Sequence, residues 1–183
     1  MYGLVNRAVQ ELVIKNFGED VWHQVCRKAG VEVDLFISNE SYDDSITYDL
    51  VAATSEITGL SAGKILYDFG EHWIIHTGHK GYGALMEAGG KSFSEFLINL
   101  PNFHTRVVMI FPKLRPPEFA VSEVAGNSLC LHYHSERVGL TDFVKGLIHG
   151  LGNKFKVSTR ATLIASKSDG ADHDVFLVEW WEE

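Results

Sequence analysis

The sequence is poor in the features that mark secreted, membrane and nucleic-acid-binding proteins. Its 183 residues include two cysteines, Cys26 and Cys130, which favours buried thiols in a reducing compartment, the cytoplasm, over a disulfide framework. No apolar run approaches the roughly 18 residues of a membrane span, and no cleavable apolar block opens the chain. The 16 basic residues are outnumbered by 24 acidic ones, and the net charge of −8 argues against nucleic acid or an anionic membrane as a partner.

The common catalytic and cofactor motifs are also missing. The sequence contains no GxGxxG, P-loop, CxxC, HExxH or GxSxG motif. The absence of CxxCH excludes the usual covalent attachment of haem. We therefore do not expect an enzyme, and any site has to be assembled from residues that lie far apart in the sequence.

The first half of the chain has the apolar periodicity of helices. From Leu4 onwards, apolar residues recur every three or four positions, and Gly78 is expected to end the fourth segment. Another helix is expected to begin at Ser92 or Ser94, and Pro101 predicts a bend or restart near Asn99. The earlier helices are expected over residues 4–17, 19–29, 41–60 and 61–77, with a glycine-rich connection around a short helical piece at 84–88.

After Pro112 the apolar period falls to two, which predicts strands. Gly146, Gly150 and Gly152 on an intervening helix predict a close approach of backbones. The strands are expected over residues 119–124, 128–135, 160–166 and 174–181, with that helix over 141–155. The predicted fold is therefore α+β, an N-terminal helical subdomain followed by an antiparallel sheet with an inserted helix.

His104 is the most unusual residue of the helical stripe. It lies four residues after Leu100 and four before Val108, so its side chain is expected to face the core. One interpretation is a core histidine that bonds to a carbonyl group. The other is a neutral imidazole that ligates a metal. A single histidine cannot hold a bare ion, but it can bind a metal that already has four ligands, as iron has in haem.

Tyr133, Ser135 and Arg137 alternate and are expected to share one face of a strand, roughly 6.5–7 Å apart in succession. They present a phenol, a hydroxyl and a guanidinium, and no negative charge. Such a face suits a ligand with two carboxylates, because arginine binds carboxylates through a paired fork. The alternative is a strand end in solvent, with Arg137 paired to a surface acid.

The remaining histidines form two sets. His72, His76 and His79 have helical spacing and can share one face, but no carboxylate or thiol is placed to complete a metal site. His132 and His134 share the other face of a strand, and we interpret both sets as solvated histidines that bind nickel or zinc at most weakly. His173 is interpreted as a turn residue.

The order of these features resembles the H-NOX family, the haem nitric oxide/oxygen-binding domains. The resemblance rests on His104, the pair Pro116-Pro117, the Tyr133-x-Ser135-x-Arg137 motif and the segment Gly146-Leu147-Ile148, and it covers essentially the whole chain. It implies a single domain over residues 1–183 that clasps a buried haem b. Its helical subdomain is expected over about 1–60, and the haem-clasping helices and sheet over about 61–183.

The resemblance also implies roles for individual residues. His104 resembles the proximal iron ligand, Tyr133, Ser135 and Arg137 resemble the propionate clamp, and Pro117 resembles the proline that presses on the porphyrin. No structural zinc is expected, because the cysteines that hold zinc in some members are missing from the C-terminal sheet. The distal wall is expected to draw on Val5, Val9, Trp73, Thr77, Phe143 and Leu147.

By resemblance, the expected function is that of a bacterial stand-alone sensor related to the haem domain of soluble guanylate cyclase. It would bind NO and CO at ferrous haem and signal by histidine release to a separate protein, a histidine kinase or a cyclic-di-GMP enzyme. Two alternatives remain open. One is a non-haem module that binds a carboxylated small molecule, and the other is an enzyme with His104 as a buried base, for which no acid or nucleophile is placed nearby.

Overall fold

The structure, a computed structural model, describes residues 1–32, 35–110 and 114–182, and only the backbone of residues 79–82. None of the described helices is both long enough and apolar enough to cross a membrane. The α-helices within these ranges are α1 (Gly3–Phe17), α2 (Glu19–Ala29), α3 (Asp44–Thr58), α4 (Ala62–His72), α5 (Gly78–Glu87), α6 (Phe93–Ile98), α7 (Leu100–Ile110) and α8 (Thr141–Phe155). A π-helical segment (Trp73–Thr77) joins α4 to α5.

The four strands follow the helical half of the chain, two before α8 and two after it. They are β1 (Glu118–Ala125), β2 (Ser128–His134), β3 (Ser158–Ala165) and β4 (Asp174–Trp181). They form one antiparallel sheet in the order β1-β2-β4-β3. The predicted α+β fold, a helical subdomain followed by an antiparallel sheet with an inserted helix, is confirmed.

Short polar side chains set the beginnings of the helices, as the sequence predicts. The Ser61 hydroxyl accepts a hydrogen bond from the Lys64 amide at 3.1 Å, and Ser92 accepts one from the Glu95 amide at 3.2 Å. The predicted restart near Asn99 is confirmed, because α6 ends at Ile98 and α7 begins at Leu100. Pro101 lies in the first turn of α7, where its missing N–H breaks no helical bond.

The predicted helix end at Gly78 is wrong. Gly78 keeps a helical φ of −63°, and the chain continues through the π-helical segment into α5, which ends at Glu87. The glycine-rich connection expected on either side of 84–88 is therefore helical up to Glu87. Glycine ends a helix where it adopts a positive φ, as Gly30 and Gly59 do, and spacing alone does not reveal that conformation.

Helices α4 and α8 pack backbone to backbone. A Cβ atom on Gly70 would collide with the Phe143 carbonyl oxygen, and one on Gly146 would collide with the Tyr67 carbonyl oxygen. Glycine is therefore required at both positions, and the close approach predicted from Gly146 is confirmed. This contact fixes α8 across the side of α4 that faces the sheet.

The apolar core has two main clusters with a gap between them. One cluster lies among α1, α2, α3 and α4 and includes Val9, Leu50 and Phe69. The other lies between the sheet, α6 and α8 and includes Leu97 and Phe176. Trp73 packs against both clusters, so α4 and the π-helical segment connect the two halves. The candidate site lies between these clusters.

Candidate functional site

A cavity of about 270 Å³ lies between the N-terminal helices and the sheet. Its surface is almost entirely apolar, and polar side chains lie mainly toward its edge. The side formed by helices includes Leu4, Val5, Leu66, Phe69, Trp73, Phe143 and Leu147. The opposite side includes Leu100, Phe103, His104, Pro116, Pro117, Phe119, Leu131 and Tyr133.

His104 lies on the wall of this cavity in helix α7. Its Nδ1 is 3.1 Å from the carbonyl oxygen of Leu100, and a carbonyl oxygen only accepts, so Nδ1 is the donor. Burial lowers the pKa of His104, and the hydrogen bond to Leu100 opposes this shift without reversing it. The side chain is therefore a neutral imidazole whose Nε2 lone pair is available to a metal.

Aromatic rings connect His104 to the sheet. The His104 ring lies 5.0 Å from the Phe119 ring of β1, measured between centroids. Phe119 lies 5.4 Å from Tyr133 of β2, and the two residues are register partners. The ligand candidate of α7 therefore contacts, through one ring, strand β2, which carries Tyr133. The prediction that Tyr133, Ser135 and Arg137 share one strand face is wrong, because β2 ends at His134 and the other two residues follow it in irregular backbone.

Arg137 lies at the edge of the cavity and joins the two halves of the molecule. Its Nε donates to Oδ2 of Asp44 at 2.7 Å, Nη2 donates to Oδ1 at 3.4 Å, and Nη1 donates to the Arg115 carbonyl at 2.8 Å. Burial raises the pKa of Asp44, but hydrogen bonds from the Met1 ammonium and Arg137 outweigh it, so the net shift is downward. Three of the five guanidinium N–H groups are thus used by described residues, which leaves two for a ligand carboxylate.

The other two members of the motif lie differently. Tyr133 is 5% exposed and lines the cavity, and burial raises its pKa, so it is a neutral donor at neutral pH. Ser135 instead lines a neighbouring depression, and its hydroxyl accepts a hydrogen bond from the Arg137 amide at 3.0 Å. The structure therefore brings Tyr133 and Arg137 to the cavity and places Ser135 where it orients the arginine.

Four of the six residues expected on the distal wall line the cavity: Val5, Trp73, Phe143 and Leu147. Phe143 packs on Phe69 with ring centroids 4.8 Å apart. Val9 and Thr77 are buried but do not line the cavity, so their place on the distal wall is corrected. Val9 lies within the N-terminal helical cluster, where α1 packs against its neighbours.

Several residues of the site escape prediction from the sequence. Asp44 belongs to no motif, yet it is the partner of Arg137, 93 residues away. Phe69 and Tyr2 line the cavity, but neither belongs to a motif. An acid in the first turn of a helix carries no signal of a partner so distant in sequence.

One set of histidines differs from its interpretation as solvated. His72 is 6% exposed, and its Nε2 lies 3.7 Å from Oε2 of Glu11. Burial lowers the pKa of His72 to about 4, so this side chain is neutral. His76 Nε2 lies 2.8 Å from Lys15 Nζ, and the side chain of His79 lies outside the described part of the chain. The interpretation is therefore wrong for His72.

The residues around the cavity fit a haem. The walls are apolar, as a porphyrin requires, and one neutral imidazole is anchored through Nδ1 so that Nε2 is free to ligate. Arg137 and Tyr133 supply donors at the edge, where carboxylates would meet solvent. His104 would hold the iron, and Arg137 and Tyr133 would hold the propionates.

Known proteins share this sequence pattern. The family model described as Haem-NO-binding (HNOB) matches residues 2–162. Soluble guanylate cyclase gcy-32 of Caenorhabditis elegans is 32% identical over 151 residues, which cover 81% of this chain and 22% of the relative. Soluble guanylate cyclase 89Da of Drosophila melanogaster is 26% identical over 170 residues, which cover 92% of this chain and 26% of the relative. The chain thus spans about a quarter of the length of these curated relatives.

Solved structures share the fold over the full chain. The ferrous unliganded H-NOX protein from K. algicida is 26% identical and superposes with a TM-score of 0.85, covering 100% of this chain and 98% of that one. The H-NOX protein from S. oneidensis in the Fe(II)NO state is 18% identical, with a TM-score of 0.90 and 100% of both chains covered. Together with the match over residues 2–162, these similarities show that the chain belongs to the haem-NO-binding family, as an H-NOX domain.

Proposed function

We propose that this domain binds haem b through His104, senses nitric oxide, accepts CO as a second gas ligand, and signals by release of His104. The observation that carries the proposal is the neutral imidazole on an apolar wall, fixed by the Leu100 carbonyl. Among the described residues that line the cavity, His104 is the only histidine. Ferrous haem b, when bound, would supply an iron that binds His104 and a gas molecule, and NO would weaken the bond to His104.

The contacts of His104 suggest how its release reaches the surface. Movement of the imidazole changes its packing on Phe119, which packs on Tyr133 of β2. Three residues further along the chain from His134, Arg137 pairs with Asp44 at the start of α3. Release of His104 therefore shifts α7 relative to the sheet. This shift strains the ion pair between Arg137 and Asp44. A partner responds only as far as it prefers one of the two arrangements.

We assign the signal to a separate cytoplasmic protein, a histidine kinase or a cyclic-di-GMP enzyme. The support is the family resemblance. In addition, the region that matches the family model, residues 2–162, contains none of the common catalytic motifs. The names of the curated relatives include guanylate cyclase, but this chain spans only about a quarter of their length. By its resemblance to stand-alone members of the family, we propose the domain as the sensor of a two-protein system.

The direct test is the state of the histidine bond in the NO-saturated ferrous protein. We expect the spectroscopic signature of histidine coordination to disappear with NO and to persist with CO, because CO weakens the opposite bond far less. Absorption and electron paramagnetic resonance spectra report this difference. A histidine signal that persists with NO at physiological temperature would exclude release as the switch. A protein that takes up no haem under haem-rich expression would instead support the module for a carboxylated ligand.

Loss of the clamp should weaken the hold on haem without unfolding the domain. In the double variant Arg137→Ala and Ser135→Ala, charge-assisted bonds of about 1.5–3 kcal/mol each are lost, so haem transfer to an acceptor protein should be faster. Asp44→Asn should weaken haem binding less, because it disturbs the ion pair that orients Arg137 but keeps the guanidinium. Circular dichroism checks that the helical content is unchanged.

Arg160→Ala is the matched control for this experiment. Arg160 is an arginine of the same sheet, 67% exposed in its side chain, and lies far along β3 at 4.0 Å from Glu179. It should leave the haem transfer rate unaltered. If the double variant also matches the unmodified protein, the propionates lie elsewhere and the proposed role of the clamp is wrong.

A further inference from the structure

The outer face of the sheet gathers histidines that the sequence separates. His132 and His134 lie on β2, and Asp172 and His173 lie in the turn before β4. The His134 and His173 rings stack with centroids 3.8 Å apart, and Nδ1 of His173 lies 3.2 Å from Oδ2 of Asp172. One ligand atom from each of His134, Asp172 and His173 lies within 4.8 Å of the others.

We propose that His134, Asp172 and His173 form a binding site for a divalent transition metal, with zinc as the ion that the ligands suit best. Two imidazoles and one carboxylate are a common zinc set, with the fourth position left to water. The ligand set contains no cysteine, so it differs from the cysteine-rich zinc site of some family members. The proposal also replaces the interpretation of His134 as a solvated histidine that binds zinc at most weakly.

The hydrogen bonds around His173 are compatible with a metal at Nδ1. His173 Nε2 lies 2.8 Å from Nδ1 of His132, and His132 Nε2 lies 2.8 Å from the Ser122 hydroxyl. With the proton on Nε2, His173 donates to His132, which donates from its own Nε2 to Ser122. The lone pair at His173 Nδ1 then faces the Asp172 carboxylate, and two acceptors can share that space only with a cation between them.

The same contacts can be satisfied without a metal. The proton then lies on His173 Nδ1 and is donated to Asp172, and the chain of donors through His132 and Ser122 runs in reverse. Because a neutral imidazole changes tautomer readily, the site can take up a metal while the hydrogen bonds from His173 to His132 and from His132 to Ser122 are kept. His132 is thus a positioning residue, of the kind that holds a metal-ligating histidine through its second nitrogen.

The geometry needs only small movements to close on an ion. Tetrahedral zinc with bonds of about 2.0–2.1 Å places its ligand atoms about 3.3 Å apart. The Asp172 side chain is 91% exposed and free to rotate inward, whereas His173 is 22% exposed and already held. His134 and Asp172 also border the solvent-filled depression of about 460 Å³ beside Arg137, which gives an ion access.

Zinc binding to the untagged full-length protein tests this site. After treatment with a chelator, equilibrium dialysis against ZnCl₂ should show one tight zinc per chain. His173→Ala and His134→Ala should each weaken binding by at least about tenfold, about 1.4 kcal/mol or more. His132→Ala should weaken it about 10–100-fold, and His132→Gln should restore part of the loss because its carbonyl oxygen still accepts from His173.

His23→Ala is the matched control, since His23 is an exposed histidine on α2, outside the cluster. Haem absorbance and thermal midpoint without zinc confirm that each variant folds. Equal zinc affinity in the unmodified protein and the His173→Ala variant would overturn the proposal and place the metal elsewhere. No measurable binding by the unmodified protein would overturn it as well, and neither outcome bears on His104 or on gas sensing.

Discussion

His104→Gly is expected to lose most of its haem, with affinity reduced at least about tenfold, because the only proposed protein bond to the iron is removed. The glycine also leaves an imidazole-sized space in the apolar wall beside Phe119. Added imidazole should enter that space, ligate the iron and restore the absorption spectrum of the unmodified protein. Titration of imidazole into the variant, followed by absorbance, measures the recovery.

The substitution also places a glycine inside α7, which costs about 1 kcal/mol of helix stability by itself. Thr105→Gly carries the same helix cost at the exposed neighbouring position and is the matched control. It should keep its haem and show no response to imidazole. Retention of the unmodified ferrous spectrum by His104→Gly without imidazole would show that another residue ligates the iron.

The second large effect concerns oxygen. A bound O₂ molecule accumulates negative charge on its outer atom and therefore depends on a hydrogen-bond donor, whereas NO and CO accumulate much less. Of the residues expected on the distal wall that line the cavity, only Trp73 carries a side-chain donor. The Thr47 and Tyr48 hydroxyls also line the cavity, but they donate to Asn6 and to the Val138 carbonyl. The family resemblance, with Gly146-Leu147 aligned to the family's Gly-Leu pair, implies that Phe143 stands where oxygen-binding members have a tyrosine. We expect NO and CO binding, and oxidation rather than a stable oxygen complex in air.

Phe143→Tyr should make oxygen binding measurable. A neutral donor in a dry pocket is worth about 1–3 kcal/mol, a factor of about 5–150 in oxygen affinity. Phe143→Leu removes the ring without adding a donor and should show no gain. Absorption spectra under controlled oxygen pressure separate the two variants. A stable oxygen complex of the unmodified protein in air would contradict this assignment, and Trp73→Phe would then show whether the indole N–H is the donor.

The elements of the fold were predictable where local chemistry decides them. Pro101 ended α6 and allowed α7 to begin, and Ser61 and Ser92 capped helices as their positions indicated. Gly78 was not predictable in this way, because a glycine with helical φ and one with positive φ are the same letter. Which of the two conformations a glycine adopts depends on how the helix packs, and the spacing of apolar residues does not reveal that packing.

The site was predictable to the extent that its chemistry is unusual. A histidine within an apolar stripe and an arginine beside two hydroxyls were conspicuous, so the cavity has His104 and Arg137 where the sequence indicated. Asp44 and the contact between His134 and His173 were missed, because each depends on pairing between distant segments. Val9 was misplaced because helical periodicity identifies buried residues. It does not show whether a buried residue lines the cavity or packs against other helices, as Val9 does.

The π-helical segment Trp73–Thr77 decides how this chain aligns with any relative that keeps an α-helix here. A turn closed by i→i+5 bonds holds about one residue more than an α-helical turn, and α5 continues from it without a loop. Such a relative would match this chain without a gap before His72 and would be one residue out of step after Gly78. In that comparison, residue equivalences near Met86 would need a one-residue gap between α4 and α5, and without the gap the side chains of the distal pocket would be paired wrongly.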